Sequence, residues 1–397
     1  MYRYFIKPLL VIITFAFAIT AALQAYTAIY DFSEPVKFSG DTIHNPYNGI
    51  DSAKWLKANF HCHQRLMYGA MDFEYTEAEM QQVYRDQGYD LQLISDHQYI
   101  NPYSPIPVYE HGWGANNFHK LMLGADKIEW IDYPIMVLPA HQMQWQLDRL
   151  KPQAELLVMN HPSRHRFTNV DDFRNLQGYD LMEMNPDRDD TAWDLALSAG
   201  IHSNLIANDD AHSISNRKRW IQACFTMVNA PSTNKDDIFE ALEEGRAYGV
   251  AVGLHTNNRP KPHENLPAIE QISLTGDTIF LKFSQQPQKT LFIGQDGSIK
   301  AEIVSTDSTA SYIFATDDTY IRTKSYFEGE NEIWTNPFYR VGGNQRETAI
   351  INTKLTIINS IAWGALSLLI CAVGIKLLRS PRGARSSSGD NYYAKKY

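Results

Sequence analysis

At 397 residues, with 44% hydrophobic and 20% charged side chains, the chain has the make-up of a folded globular protein of one large or two smaller domains, not of a disordered one. Residues 1–30 carry +2 and residues 354–397 carry +6, so the total of −9 leaves −17 on residues 31–353. A body this acidic speaks against nucleic acid as a partner, because phosphate backbones are bound by basic faces. The cysteines Cys62, Cys224 and Cys371 lie in unlike surroundings, which argues against a disulfide-stapled scaffold.

The chain opens with Arg3 and Lys7 before the apolar run "PLLVIITFAFAITAAL". Residues 1–30 therefore read as a signal anchor or a signal peptide. Ala22-Leu23-Gln24-Ala25 offers a cleavage site, and the apolar character continuing past Ala25 favours a retained anchor.

Between about residues 50 and 230 short apolar runs recur, each ending in a polar or histidine-bearing tip. They are "WLKANFHCH", "YDLQLISDH", "KLMLGA", "YPIMVLPAH", "AELLVMNHP", "YDLMEMN", "SNLIANDDAH" and "CFTMVNA". Their lengths suit buried strands. Helical stretches intervene: "TEAEMQQVYRDQGY" opens on a capping-box pair, Thr76 and Glu79, and "TAWDLALSAG" ends at Gly200. Such alternation predicts parallel strands with crossovers, in an α/β barrel or an open sheet. A helix over "NKDDIFEALEEGRAYGV" and the Pro-rich link "NNRPKPHENLP" follow. From about 265 to 343 alternating residues and Gly-Asp or Asp-Gly turns predict a small antiparallel β-domain. Leu355–Ile375 is then 21 residues without a charge, enough to cross a bilayer core, and the basic stretch "RSPRGARSSS" comes soon after. Positive flanks at both ends predict cytoplasmic termini, with residues 31–350 beyond the membrane, periplasmic or extracellular.

Extended backbone puts residues i and i+2 on one face, so His61 and His63 point together and Cys62 points away. Alone, H-x-H is a weak signal. It is joined by Asp96-His97 at the tip of the next run, Glu110 in "VYEHGW", His119 before "KLMLGA", His161 in "NHP", and Asp210 with His212 in "DDAH". In α/β barrels and open sheets the strand ends form the site face, so these residues are expected to converge. Imidazoles mixed with carboxylates suit Zn, Mn or Fe better than Mg or Ca, and so many ligands imply more than one ion.

This ordered set, H-x-H, S-D-H, a loop Glu, a His before "LMLG", N-H-P and D-A-H, resembles the PHP (polymerase and histidinol phosphatase) superfamily over roughly residues 50–250. The resemblance implies a distorted (β/α)7 barrel at 45–258 and metal-dependent phosphoester hydrolysis. It implies metal ligands at His61, His63, His97, Glu110, His119, His161, Asp210 and His212, with Glu110 bridging. The region 264–345, read as a β-sandwich-like domain, resembles the C-terminal domain of membrane-associated or secreted members. A transmembrane helix at 355–378 and a basic tail at 379–397 complete the expected organisation. Three-metal members carry an aspartate soon after H-x-H, whereas here "QRLMYGAMDFE" places Tyr68 there and Asp72 later. Two or three divalent ions are therefore expected, with His97 and His212 either ligands or, alongside Glu110, acid–base groups.

Arg65 and Arg164 sit beside these motifs and are candidate phosphate clamps, since guanidinium matches phosphate oxygens. His111 and His141 are further candidates with poorer motif matches. The expected function is hydrolysis of a phosphoester, first a phosphodiesterase or phospholipase-C-like activity on lipid or glycolipid headgroups. The alternatives are a monoesterase for small soluble phosphates and a non-catalytic metal-dependent sensor.

Overall fold

The computed structural model describes residues 6–52, 54–66, 69–72, 75–166, 168–214, 221–253 and 263–379. Tyr68, the side chain of Asp72, most of the Pro-rich link and the basic tail beyond 379 lie outside the described residues. The chain divides into two units: residues 1–29 with 352–397, and residues 30–351.

The first unit contains the helices Lys7–Ala25 and Thr353–Arg379, both long and apolar enough to cross a membrane. They pack along each other, with Ala18, Ala21 and Gly374 buried.

The second unit is mixed α/β. One sheet has five strands in the order Asn204–Ala207, Leu181–Met184, Leu156–Met159, Lys120–Leu123, Val108–His111. The first three are parallel, as the alternation of strands and helices predicts. The next two joints are antiparallel, a departure from that expectation. The loop 112–119 between the last two strands is too short for a crossover, which needs a dozen or more residues, so the chain can only fold back. The run "YPIMVLPAH" is not a strand either. Pro139 supplies the preset φ and missing N–H that suit a first helical turn, and the helix Pro139–Leu150 begins there.

A ten-stranded sheet contains Leu91–Gln92, Trp55–Asn59, Cys224–Asn229 and Ala247–Ala251, and continues through Glu332–Thr335, Tyr320–Tyr326, Lys289–Gly294 and Ser298–Ile303. Strands from both sides of the Pro-rich link thus share one sheet, with Tyr248 paired to Thr335 and Ala251 to Glu332. Ile269–Thr275, Thr278–Phe283 and Thr309–Ile313 form a separate antiparallel sheet. Among the described residues no sheet closes, and a seven-stranded barrel is not shown. Two isolated bridges, Cys62 to Ala211 and His97 to Glu110, link the ends of the two larger sheets. Phe60, Leu93 and Val228 meet Val108, Leu121, Val158, Leu181 and Ile206 in one buried cluster, so both sheets enclose a common core.

The helix Glu77–Arg85 starts at the capping box that the sequence signals: Thr76 Oγ1 accepts the Glu79 N–H at 3.2 Å and Glu79 accepts the Thr76 N–H at 2.7 Å. Helix Thr191–Ser198 is held to the Tyr320 strand by a buried ion pair. Arg322, fully buried, donates to Asp194 from Nε at 2.7 Å and from Nη2 at 2.5 Å, with Trp193 under its guanidinium at 5.0 Å. Removing one partner strands the other charge in the core. Arg322→Ala is expected to destabilise the full chain by about 3–5 kcal/mol in denaturant melts. Lys282→Ala, which breaks the exposed pair with Glu270, is expected to cost no more than about 1 kcal/mol.

Candidate metal centre

The site lies along one edge of the two larger sheets. His61 and His63 follow the Trp55 strand, His97 follows the Leu91 strand, and Glu110 stands near the end of the Val108 strand. His119 precedes the antiparallel Lys120 strand, which brings its start to the same edge. His161 follows the Leu156 strand, and Asp210 and His212 follow the Asn204 strand.

Locally, His61 and His63 share a face because residues 61–63 stay extended. The Asp210 N–H donates to the His61 carbonyl at 3.1 Å, and the His63 N–H donates to the Ala211 carbonyl at 2.8 Å. Cys62 points the other way, its Sγ 3.1 Å from the Leu93 carbonyl and 3.6 Å from Met80 Sδ. His161 and Asp210 carry positive φ, 25° and 51°, unusual for non-glycine residues, so the backbone is strained where it turns two site side chains inward.

The separations of the donor atoms are informative. His61 Nε2, His63 Nε2 and Asp210 Oδ1 form a triangle with all three sides 3.2 Å. A tetrahedral ion with bonds of about 2.0–2.1 Å keeps its ligand atoms about 3.3 Å apart. Glu110 is fully buried and approached by five imidazoles. His61, His119 and His161 lie 3.3, 3.1 and 3.1 Å from Oε1, and His63 and His97 lie 3.3 and 3.0 Å from Oε2. Asn160 donates to Oε1 at 2.9 Å. One carboxylate shared between two sets of imidazoles has the geometry of a bridging ligand. Four overlapping groups could each hold an ion: His61–His63–Asp210, His61–Glu110–His161, His97–Glu110–His119 and His63–His97–His212.

The electrostatics agree. Burial alone would push Glu110 up, but His97, His119 and His61 outweigh it and hold the carboxylate well below its usual range. Burial likewise opposes ionisation of Asp210, and His61 and His212 reverse it. Burial disfavours a charged His61, yet Glu183, Glu110 and Asp210 hold it well above its ordinary value. His63 goes the other way, driven well below by burial and then by His212. Imidazole nitrogens in such contact cannot all carry protons, and a divalent cation answers the same carboxylates without that crowding. The donor set therefore fits divalent metal ions.

All eight sequence-derived ligand candidates come together here, with His97 and His212 at the open side, their side chains 27% and 49% exposed. The arginines are engaged differently. Arg164 pairs through Nη1 with Asp210 and through Nε with Asp187 at 2.7 Å. Arg65 reaches Glu77 at 3.4 Å and lies over Tyr99. His111 is turned from the cluster, its imidazole pushed down to about 3 by burial and by Lys120. His141 accepts the Tyr30 N–H at 3.1 Å in the Pro139 helix, apart from the cluster.

Sequence reasoning missed Glu183. Its carboxylate faces His61 Nδ1 at 2.7 Å and accepts the His161 N–H at 2.9 Å. A lone acid in the otherwise apolar "LMEM" strand was the available signal, because a buried carboxylate needs a reason to be there. Asp96 was noticed only as part of S-D-H. It accepts the Gln64 and Arg65 N–H groups at 2.6 and 2.7 Å, shaping the turn after His63.

No protein-family profile matches the sequence, and no curated protein matches it. Among solved structures, a two-domain protein from Bacteroides vulgatus ATCC 8482, described as containing a predicted PHP-like metal-dependent phosphoesterase, is similar over 80% of this chain and 92% of its own. The identity is 14% and the TM-score 0.34, a likeness too loose to establish family membership.

Glu110→Gln removes the charge that five imidazoles share. It is expected to lower the divalent metal retained per chain, read by inductively coupled plasma mass spectrometry. Cys62→Ser, on the opposite face, is expected to leave it unchanged.

Proposed function

We propose that residues 30–351 form a metal-dependent phosphoesterase, and that the substrate is a phosphodiester of the phospholipid or glycolipid headgroup class. The observation that carries the hydrolase reading is the buried cluster in which Glu110 is shared between two sets of imidazoles beside the 3.2 Å triangle of His61, His63 and Asp210. The order of the motifs, their PHP-like spacing, and the two isolated bridges at the sheet ends support a distorted barrel of seven strands around this edge.

His61, His63, Glu110, His119, His161 and Asp210 would hold two ions, and a third would draw on His97 and His212. Zn, Mn and Fe suit this donor set. Divalent ions there would lower the pKa of water toward neutrality and polarise a phosphoryl oxygen. The protein's own part is placement. Glu110 and Asp210 present fixed negative charge in a site closed to solvent on its inner side, where that charge is least screened. Where no third ion takes them, His97 and His212, at the open side, would instead deliver a proton to the departing oxygen. Arg164, tied to Asp210, stands where a phosphate oxygen could exchange with Asp187 for its guanidinium.

The lipid assignment rests on the helices Lys7–Ala25 and Thr353–Arg379. A domain tethered at both ends to a bilayer meets headgroups at high effective concentration. The basic flanks support placing the domain on the extracytoplasmic side.

The test uses the full chain in detergent or vesicles. With Mn²⁺ or Zn²⁺ it is expected to hydrolyse bis-p-nitrophenyl phosphate, to lose turnover with chelator, and to release headgroups from phospholipid vesicles. His97→Ala is expected to lower kcat by ~10²–10⁴. Turnover of p-nitrophenyl phosphate alone would move the assignment to monoesters, and bound metal without turnover of any ester would leave a binding module in its place.

A further inference from the structure

Glu183 belongs to none of the four groups that could hold an ion, yet two of the segments that supply their donors contact it. It is fully buried, and each of its oxygens is held by a donor that cannot turn round. The His161 backbone N–H donates to Oε2 at 2.9 Å. Asn208 Nδ2 donates to Oε1 at 3.0 Å, and the Asn208 amide is oriented because its Oδ1 accepts the Phe60 N–H at 2.7 Å. Both oxygens of Glu183 are therefore acceptors. His61 Nδ1, 2.7 Å from Oε1, must carry its proton to make that contact. A proton on Nδ1 leaves the Nε2 lone pair of His61 for the triangle with His63 and Asp210. The same carboxylate restrains His161, whose φ of 25° the chain would otherwise relax.

We propose that Glu183 is a positioning residue of the metal centre: it sets the tautomer and angle of His61 and pins the strained turn that presents His161. This rests on the reading that the cluster holds metal. Carboxylate–histidine pairs of this kind change metal affinity by about 10–100-fold when the carboxylate is altered.

Glutamine is the sharp substitution, because it keeps the shape and turns one acceptor into a donor. Three donors then face a group that can accept on one side only, so either His61 or His161 loses its partner. In the full chain, Glu183→Gln is expected to bind Zn²⁺ about 10–100-fold more weakly in chelator competition, with unchanged far-ultraviolet circular dichroism. Equal affinity in Glu183→Gln and wild type would overturn the positioning role alone. A wild-type chain that binds no Zn²⁺ would overturn the metal reading beneath it. Should Glu183→Gln fail to fold, the wild-type chain decides. In ¹⁵N-histidine spectra of the Zn²⁺-loaded protein, His61 is expected to be protonated at Nδ1 and metallated at Nε2, and metallation at Nδ1 would overturn the proposal.

A separate observation bears on the N-terminal segment. The last carbonyls of a helix lack intrahelical donors. Here the other apolar helix adds donors at and just past this end: Asn359 Nδ2 donates to the Gln24 and Thr27 carbonyls at 2.9 and 3.3 Å, and Ser360 Oγ donates to the Ala25 carbonyl at 2.7 Å. One helical stretch further on, Ser367 Oγ donates to the Ala18 carbonyl at 2.8 Å, and Gly374 lets Phe15 come within 3.2 Å of where a Cβ would stand. Cleavage after Ala25 would remove the partners of Ser360 and Ser367, the nearer partner of Asn359 and the packing against Gly374. We infer that Lys7–Ala25 stays in the mature chain as one of a pair of helices packed against each other. Intact-mass spectrometry of the chain extracted from membranes is expected to show residues 6–25 retained. A mature N-terminus at or near Tyr26 would overturn this.

Discussion

A carboxylate with no exposed surface, Glu110, sits among five imidazoles, and the rest of the site follows from the need to compensate that charge. A buried anion without partners is costly enough that a group normally neutralises instead. Here it is held ionised, because His97, His119 and His61 outweigh the effect of burial. Asp210 repeats the arrangement on the other side of His61. Cationic charge at this edge is thus built into the folded state. Protons can provide it only by crowding onto imidazoles in mutual contact, whereas divalent ions provide it at the spacing the donor atoms already have.

The fold serves this convergence. Parallel strands bring His61, His97, His161 and Asp210 to one edge as their ends, and the antiparallel Lys120 strand brings His119 there by its beginning. Carboxylates outside the cluster then hold the turns that carry the ligands. Glu183 restrains His61 and His161, Asp96 the turn after His63, and Asp209, whose carboxyl burial pushes up to about 7, accepts from Tyr84 at 2.6 Å and from the Gln222 and Ala211 N–H groups beside Asp210. Strain at His161 and Asp210 is maintained by this surrounding network.

Much of the site was legible in the sequence because its chemistry is punctuated. Histidines and acids at the tips of apolar runs stand out against Val, Leu and Met, and two-residue spacing in extended backbone has one geometric meaning. The Thr76–Glu79 cap was legible for the same reason, as a local device with local partners. What could not be read depends on distant contacts. The apolar run "YPIMVLPAH" looks like its neighbours, and only Pro139 hints that a helix begins. The antiparallel fold-back from the Val108 strand to the Lys120 strand follows from a loop length that periodicity does not report. The sharing of one sheet across the Pro-rich link rests on pairing between residues 80 or more apart, such as Ala251 and Glu332. Glu183 was hidden because its partners come from three other segments.

On the proposed reading this edge is a multi-metal centre bridged by Glu110. Anomalous diffraction from crystals of the Zn²⁺- or Mn²⁺-loaded protein addresses it without reference to any substrate. The expected result is at least two peaks, one bounded by His61, His63 and Asp210 and one by Glu110 with His119 and either His97 or His161. A map with no anomalous peak among these residues, in crystals that diffract well enough to show their side chains, would contradict it.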